Sequence, residues 1–72
     1  MITSGIVETI NKQQGFYAPH VRTNKSLAAI PDELIDSVKI GDDVIIFHSE
    51  KLTYGGFNSI VIETPRAKLA NM

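Results

Sequence analysis

The sequence predicts an all-β fold: a small five-stranded barrel with one short helix between the third and fourth strands. The chain has 72 residues, 43% of them hydrophobic, so it has room for one core and is not composed like a disordered segment. Five segments are rich in β-branched and aromatic residues, which favour strands. Between the third and fourth of these segments, Pro31 precedes two acidic residues, a pattern typical of a helix start.

Three of the predicted strands lie in the first half of the chain. Residues 2–10 (ITSGIVETI) form the first, and the polar segment 11–15, which ends in glycine, forms a turn. The second strand covers residues 16–22 (FYAPHVR), where Pro19 removes a backbone donor, so we expect an edge, a bulge or a break. The third is the short segment 26–30 (SLAAI).

The short helix is predicted from about Pro31 to Val38. Proline suits the first helical position, and acidic residues favour the first turn. Leu34, Ile35 and Val38 form one apolar stripe that can plug the end of a sheet or barrel. We therefore expect a capping helix.

Two further strands follow. Residues 39–43 (KIGDD) form a turn into VIIFHSE, and a double glycine precedes the last strand, NSIVIET, which Pro65 ends. This order of elements suits an OB-like Greek-key barrel. We expect one barrel domain over residues 1–64 and a C-terminal tail over 65–72.

The composition argues against several classes of protein. The chain has no cysteine, which rules out disulfides and thiolate zinc ligands, and a zinc site on His20 and His48 would need additional carboxylates. A formal charge of −1 gives no strong attraction for phosphate. No apolar run approaches the roughly 20 residues of a membrane span, and the start lacks a signal-peptide pattern. We expect a cytoplasmic protein that does not associate with membranes.

The residue pattern contains no catalytic motif. Asp42 and Asp43 follow a glycine, which is typical of a tight turn into a strand and not of paired carboxylates for acid–base work. Ser26, Ser49 and Ser59 lack the motif of an activated nucleophile. We expect a binding module, not an enzyme, with no cofactor and no metal.

The first sixteen residues contain the pattern G-x-V-x-x-x-N-x-x-x-G-F, carried by Gly5, Val7, Asn11, Gly15 and Phe16. This pattern resembles the opening of a cold-shock domain. The second half is also similar to such domains, at Gly41, Val44 and Phe47 and at the double glycine before IVIE. The resemblance implies a barrel that binds single-stranded RNA or DNA, with exposed aromatic rings stacked on bases and cations along the backbone.

The candidate nucleic-acid-binding residues are three aromatics and three cations: Phe16, Tyr17, Phe57, Lys12, Arg22 and Lys25. The aromatics are expected to stack on bases, and the cations to form a basic rim near Phe16. Alternatives remain open. Neighbours on a strand face opposite sides, so Phe16 and Tyr17 are alternatively one core and one surface ring, and the cations are alternatively ordinary solvated charges. The segment Tyr54–Phe57 is either a ligand-binding loop or a plain hairpin turn.

A second hypothesis is a structural subunit of a larger assembly. Val44–Phe47 and Ile60–Ile62 are unbroken apolar runs, which indicates that both strand faces are covered. A domain this small cannot cover both faces from within, so we expect a protein partner or a homo-oligomer. The G-x-V opening, the Val21-Arg22 pair and the GD-x-V strand are also similar to OB barrels of phage tail spikes and baseplates, which implies a place in a virion.

A third hypothesis comes from Asn24–Val44, NKSLAAIPDELIDSVKIGDDV. This segment resembles the swapped-hairpin DNA-binding domain of antitoxins and transition-state regulators, in which a strand leads into a helix and then a GD-x-V strand. The resemblance implies a dimer with basic residues of both subunits facing duplex DNA. It predicts that residues 1–20 are dispensable for dimerisation.

Overall fold

The computed structural model describes residues 1–13, 15–51 and 54–70. Within these ranges the elements in chain order are β1 (Ile2–Asn11), β2 (His20–Thr23), β3 (Leu27–Ala29), a 3-10 helix (Asp32–Leu34), β4 (Asp43–His48), β5 (Ser59–Glu63) and α1 (Pro65–Ala70). The predicted all-β class is confirmed. The second strand is shorter than expected and begins only after Pro19, so residues 16–19 form a loop.

The strands close into one barrel in the order β1-β2-β3-β5-β4, with β4 paired back onto β1. Neighbouring strands are antiparallel except β3 and β5, which run parallel at Ala29 and Ile60. A closed five-stranded barrel is consistent with an OB-like fold. β1 pairs with both β2 and β4, so residues 2–11 are integral to the barrel.

The barrel interior is aliphatic. Its core cluster contains small and medium side chains: Val7, Val21, Ala28, Ile30, Val38, Val44, Ile46 and Val61. The chain has three phenylalanines and two tyrosines, all within the described ranges, and none belongs to this cluster. The packed interior therefore leaves every aromatic ring outside.

The helix predicted between the third and fourth strands is wrong. Only Asp32–Leu34 is helical there, and its bonds are short-range: Leu34 N–H donates to Pro31 O at 3.0 Å, and Ser37 N–H donates to Leu34 O at 2.9 Å. So short a segment gains few propagating bonds, and packing decides its shape. Val38 is buried in the core, and Leu34 and Ile35 pack against it, so the apolar stripe fills the barrel although the helix does not form.

The α-helix lies instead after β5. Thr64 is buried and caps α1, because its Oγ1 accepts a hydrogen bond from Ala67 N–H at 3.1 Å. Arg66 then pairs with Asp42 in the turn before β4. Burial raises the pKa of the Asp42 carboxyl, but the hydrogen bonds from Arg66 and Lys39 N–H and the nearby charges outweigh it, so the pKa lies below its ordinary value. Residues 71–72 of the predicted tail lie outside the described residues.

Candidate nucleic-acid interface

The loop after β1 meets the tip of the β4–β5 hairpin. Ala18 N–H donates a hydrogen bond to Gly55 O at 3.0 Å. At the tip, Tyr54 N–H donates to Phe57 O at 2.6 Å, and Phe57 N–H donates to Tyr54 O at 3.0 Å. The two glycines between them have φ of +55° and +93°, the left-handed conformation that a tight hairpin turn requires. The predicted hairpin turn is present, and it also contacts the loop.

Only glycine fits at the tip, because the loop lies directly against it. A Cβ on Gly55 would overlap the side chain of Ala18, and a Cβ on Gly56 would overlap the ring of Tyr17. The double glycine thus serves both the turn and the close approach of two segments far apart in the sequence.

This contact gathers aromatic rings into one cluster. The ring centroids of Phe16 and Tyr17 lie 5.0 Å apart in an edge-to-face arrangement, and those of Tyr17 and Phe57 lie 5.6 Å apart. The imidazole of His20 lies 4.7 Å from Phe57. Its Nδ1 is 3.0 Å from the Ala18 carbonyl, which orients the ring. The three aromatic residues selected from the sequence are therefore brought together.

The alternative with one core ring and one surface ring is wrong. Phe16 is 94% exposed and Tyr17 is 52% exposed. Strand alternation does not apply to them, because residues 16–19 form a loop and not part of β2. Both rings project from the barrel.

Two grooves flank Tyr54. The loop groove has a volume of about 350 Å³, and its lining includes Phe16, Tyr17, Pro19, Asp32, Tyr54 and Gly55. The hairpin groove has a volume of about 250 Å³, and its lining includes Phe47, Tyr54, Phe57, Asn58 and Ile60. The rings of Phe16, Tyr17, Phe47, Tyr54 and Phe57 thus border one continuous surface, which we call the aromatic belt.

The three cations that the sequence analysis placed in a basic rim near Phe16 are spread along β2. Lys12 directly follows Asn11, which pairs with His20 at the belt end of β2. Arg22 lies further along β2, in an exposed ion pair with Glu8 at 4.0 Å. Lys25 lies in the turn between β2 and β3, at the other end of β2. Successive turns of an antiparallel sheet lie at opposite ends of the shared strand, so the three cations do not meet beside Phe16.

Sequence reasoning missed Phe47, His20 and Asp32 as neighbours of the candidate site. Tyr54 had been considered as part of the loop Tyr54–Phe57, whose flanking residues pair with each other across the two-glycine turn. His20 was considered only as a metal ligand, and Asp32 only as a helix-start residue. Their positions depend on barrel closure and leave no local pattern.

A cluster of three polar side chains joins three strands of the barrel. His48 Nδ1 lies 2.6 Å from Ser59 Oγ, and His48 Nε2 lies 2.9 Å from Thr3 Oγ1. Residues 48 and 59 face each other across the β4–β5 ladder, a contact that the sequence spacing did not reveal. Both ring nitrogens are occupied by hydroxyl groups and Ser59 is buried, so this group holds β1, β4 and β5 together.

Comparison with protein-family models and with curated proteins gave no match. Within residues 1–13, 15–51 and 54–70, three or more His, Cys, Asp or Glu side chains do not come together in a group that could hold a metal ion. In the same part of the chain, neither helix is long and apolar enough to cross a membrane.

Proposed function

We propose that the protein is a cold-shock-like binding module with an OB-type Greek-key barrel, that it has no catalytic activity, and that it binds single-stranded RNA or DNA on the aromatic belt. One observation carries the proposal: the loop after β1 and the β4–β5 hairpin meet and present their rings together, with Phe16 almost fully exposed. In OB folds the β1–β2 and β4–β5 loops are a common site for oligonucleotides.

The chemistry of the belt suits unpaired bases. Single strands expose flat rings, and stacking on an aromatic side chain contributes about 1–3 kcal/mol per base with little dependence on sequence. Phe16 and Tyr17 offer open ring area, and the bond between Ala18 and Gly55 holds their loop in place. A platform that is positioned before binding loses less entropy when the ligand arrives.

Electrostatic attraction adds little to this binding. Of the three candidate cations, Lys12 and Arg22 lie nearer the belt end of β2 than Lys25, and Arg22 is free to turn to a phosphate because its exposed pair with Glu8 is weak. Neutralising one or two phosphates of a single strand gives a slope of log affinity against log salt between about −0.7 and −1.4. We expect binding to survive moderate salt, because stacking supplies most of it.

The test is fluorescence anisotropy with a labelled single-stranded oligonucleotide. Phe16→Ala should weaken binding by about 5- to 150-fold, which corresponds to one lost stack. Ile40→Ala is the matched control, since Ile40 is exposed but lies in the turn before β4, at the opposite end of that strand from the β4–β5 hairpin. Equal affinities of the two variants would remove the belt as the binding site.

A second pair of variants tests the cations. Lys12→Met should lower the affinity at low salt, and Lys25→Met should leave it unchanged, because Lys25 lies at the other end of β2. Equal effects of the two substitutions would show that charge acts without regard to position.

A second observation, which shares Phe47 and Ile60 with the hairpin groove, favours another candidate, a subunit of a protein assembly. Several large apolar side chains lie on the outer surface of β1, β4 and β5: Ile2 pairs with Phe47, which pairs with Ile60, and Ile6 and Ile62 are also about half exposed. Such patches occur at sites of protein association. We propose that this apolar face packs on another subunit.

Light scattering over a concentration series tests the assembly. We expect a mass above 7.9 kDa that falls on dilution, and Ile62→Lys should return the protein to a monomer. Leu27→Lys places the same charge on a comparably exposed position of β3 and should leave the assembly intact. A monomer at every concentration would contradict this candidate.

A further inference from the structure

The loop groove has an uneven lining. Its walls include the rings of Phe16, Tyr17 and Tyr54, and among the described residues that line it, Asp32 alone carries a charge. Asp32 is the first residue of the 3-10 helix, and its side chain is exposed to solvent. A carboxylate can only accept hydrogen bonds, through two oxygens side by side. The groove thus combines aromatic walls with one strong acceptor.

This combination selects the base of a nucleotide and not its phosphate. A phosphate in the groove would face the negative charge of Asp32 at close range, which is unfavourable. A base can stack on an aromatic wall while it donates hydrogen bonds from its edge to the carboxylate. The strand backbone then lies outside the groove, on the side of Lys12.

The four bases differ in what they offer a carboxylate. Guanine presents two adjacent donors, N1–H and the N2 amino group, which match the two carboxylate oxygens. Uracil and thymine present a single N3–H between two carbonyl oxygens, which repel the carboxylate. Cytosine and adenine present one amino group beside an unprotonated ring nitrogen. Guanine is the best partner, because it satisfies both oxygens without a repulsive neighbour.

We propose that the loop groove is a base subsite with a preference for guanine, and that Asp32 is its specificity-determining residue. The inference rests on the proposed binding of single strands and adds to it the identity of one base. The sequence pattern around Asp32 indicates only a helix start, so a role in base recognition is new for this position.

The experiment compares three oligonucleotides of nine nucleotides by anisotropy. All are thymine except at the centre, which carries thymine, guanine or hypoxanthine, a guanine analogue without the N2 amino group. We expect the guanine strand to bind about tenfold more tightly than the all-thymine strand, which is the usual discrimination of a bidentate contact. The hypoxanthine strand should lie between them, since it keeps N1–H and loses the second donor.

Two neutralising variants isolate the role of Asp32. Asp32→Asn should remove the guanine preference, because an amide offers one donor and one acceptor in place of two acceptors. Glu33→Gln is the control: it removes the same charge from the neighbouring residue, which lines a different groove with Leu34 and Ile62. Loss of either charge raises the affinity for every oligonucleotide alike, so the ratio between guanine and thymine strands is the measured quantity.

The possible outcomes distinguish the guanine subsite from the single-strand binding on which it depends. Equal binding of the three strands by the unaltered protein overturns the guanine subsite and leaves single-strand binding in place. A guanine preference that Asp32→Asn retains overturns the role of Asp32. Absence of binding to any strand removes both proposals. Circular dichroism of Asp32→Asn confirms that each comparison is made on folded protein.

Discussion

The barrel interior and the aromatic belt contain different kinds of hydrophobic residue. The interior holds valine, alanine and isoleucine, whereas the phenylalanines and tyrosines lie outside it. Aromatic side chains usually dominate the cores of domains, because each buries about 150–250 Å². Here the rings lie outside the core and are exposed to different extents, for example Phe47 at 37% and Phe16 at 94%. The comparison teaches that the residues of the packed core and the residues proposed to bind a ligand form separate sets.

The largest effect is expected in the interior. Ile46 is 1% exposed, and Ile46→Ala should lower the free energy of unfolding by about 2–5 kcal/mol, because it deletes buried methyl groups and leaves a cavity. Urea denaturation followed by circular dichroism measures the change. Ile40→Ala, at a turn position that is 67% exposed, should change it by less than about 0.5 kcal/mol. Similar costs at both positions would contradict the division described above.

The second largest effect on stability is expected at the tip of the β4–β5 hairpin, which contacts the loop that carries Tyr17. Gly56→Ala should lower the free energy of unfolding by about 1–3 kcal/mol, because it adds backbone strain at φ +93° and a clash with the ring of Tyr17. Gly41→Ala has nearly the same φ, +91°, but its Cβ meets open space, so it isolates the strain. Only Gly56→Ala should also weaken oligonucleotide binding. If Gly41→Ala weakened oligonucleotide binding as much as Gly56→Ala, the contact between the hairpin tip and Tyr17 would not be what positions the belt.

The smallest expected effect is a pH dependence of the protein's stability, caused by the ion pair between Asp42 and Arg66. The pKa of Asp42 is lowered in the folded protein from about 3.8, so its pairing with Arg66 contributes stability above that pH, and the contribution is lost as the pH falls through the folded value. Thermal unfolding at pH 7 should therefore separate the unaltered protein from Asp42→Asn, and the gap should close as the pH falls below about 4. Arg66→Gln should reproduce the loss at pH 7. A constant gap at all pH values would show that the charge is not responsible.

Much of the fold could be predicted because its signals are local. The β-branched segments, the glycine turns and the break at Pro19 each depend on a few neighbouring residues. The helix at Pro31–Val38 was wrong for a related reason: its start signal was present, but the segment had to bring Val38 into the core and reach β4, and packing prevailed over the local preference.

The candidate site could be predicted only in part. Phe16 was selected from the resemblance to cold-shock domains, Tyr17 as its neighbour, and Phe57 because aromatic rings beside a glycine turn suggest a binding surface. Asp32 and His20 were not selected as site residues, and the separation of Lys25 from Lys12 was not foreseen, because the positions of these residues depend on which turns lie on which side of the barrel.

The sequence by itself determined the all-β class, the number of strands and the turn chemistry, since side-chain periodicity and backbone preference act within a few residues. Only the tertiary structure decided that Ala18 meets Gly55, that all the rings lie outside the interior, and that Asp32 joins the loop groove. These contacts join residues far apart in the chain, and they form only when the barrel closes and each strand takes its register.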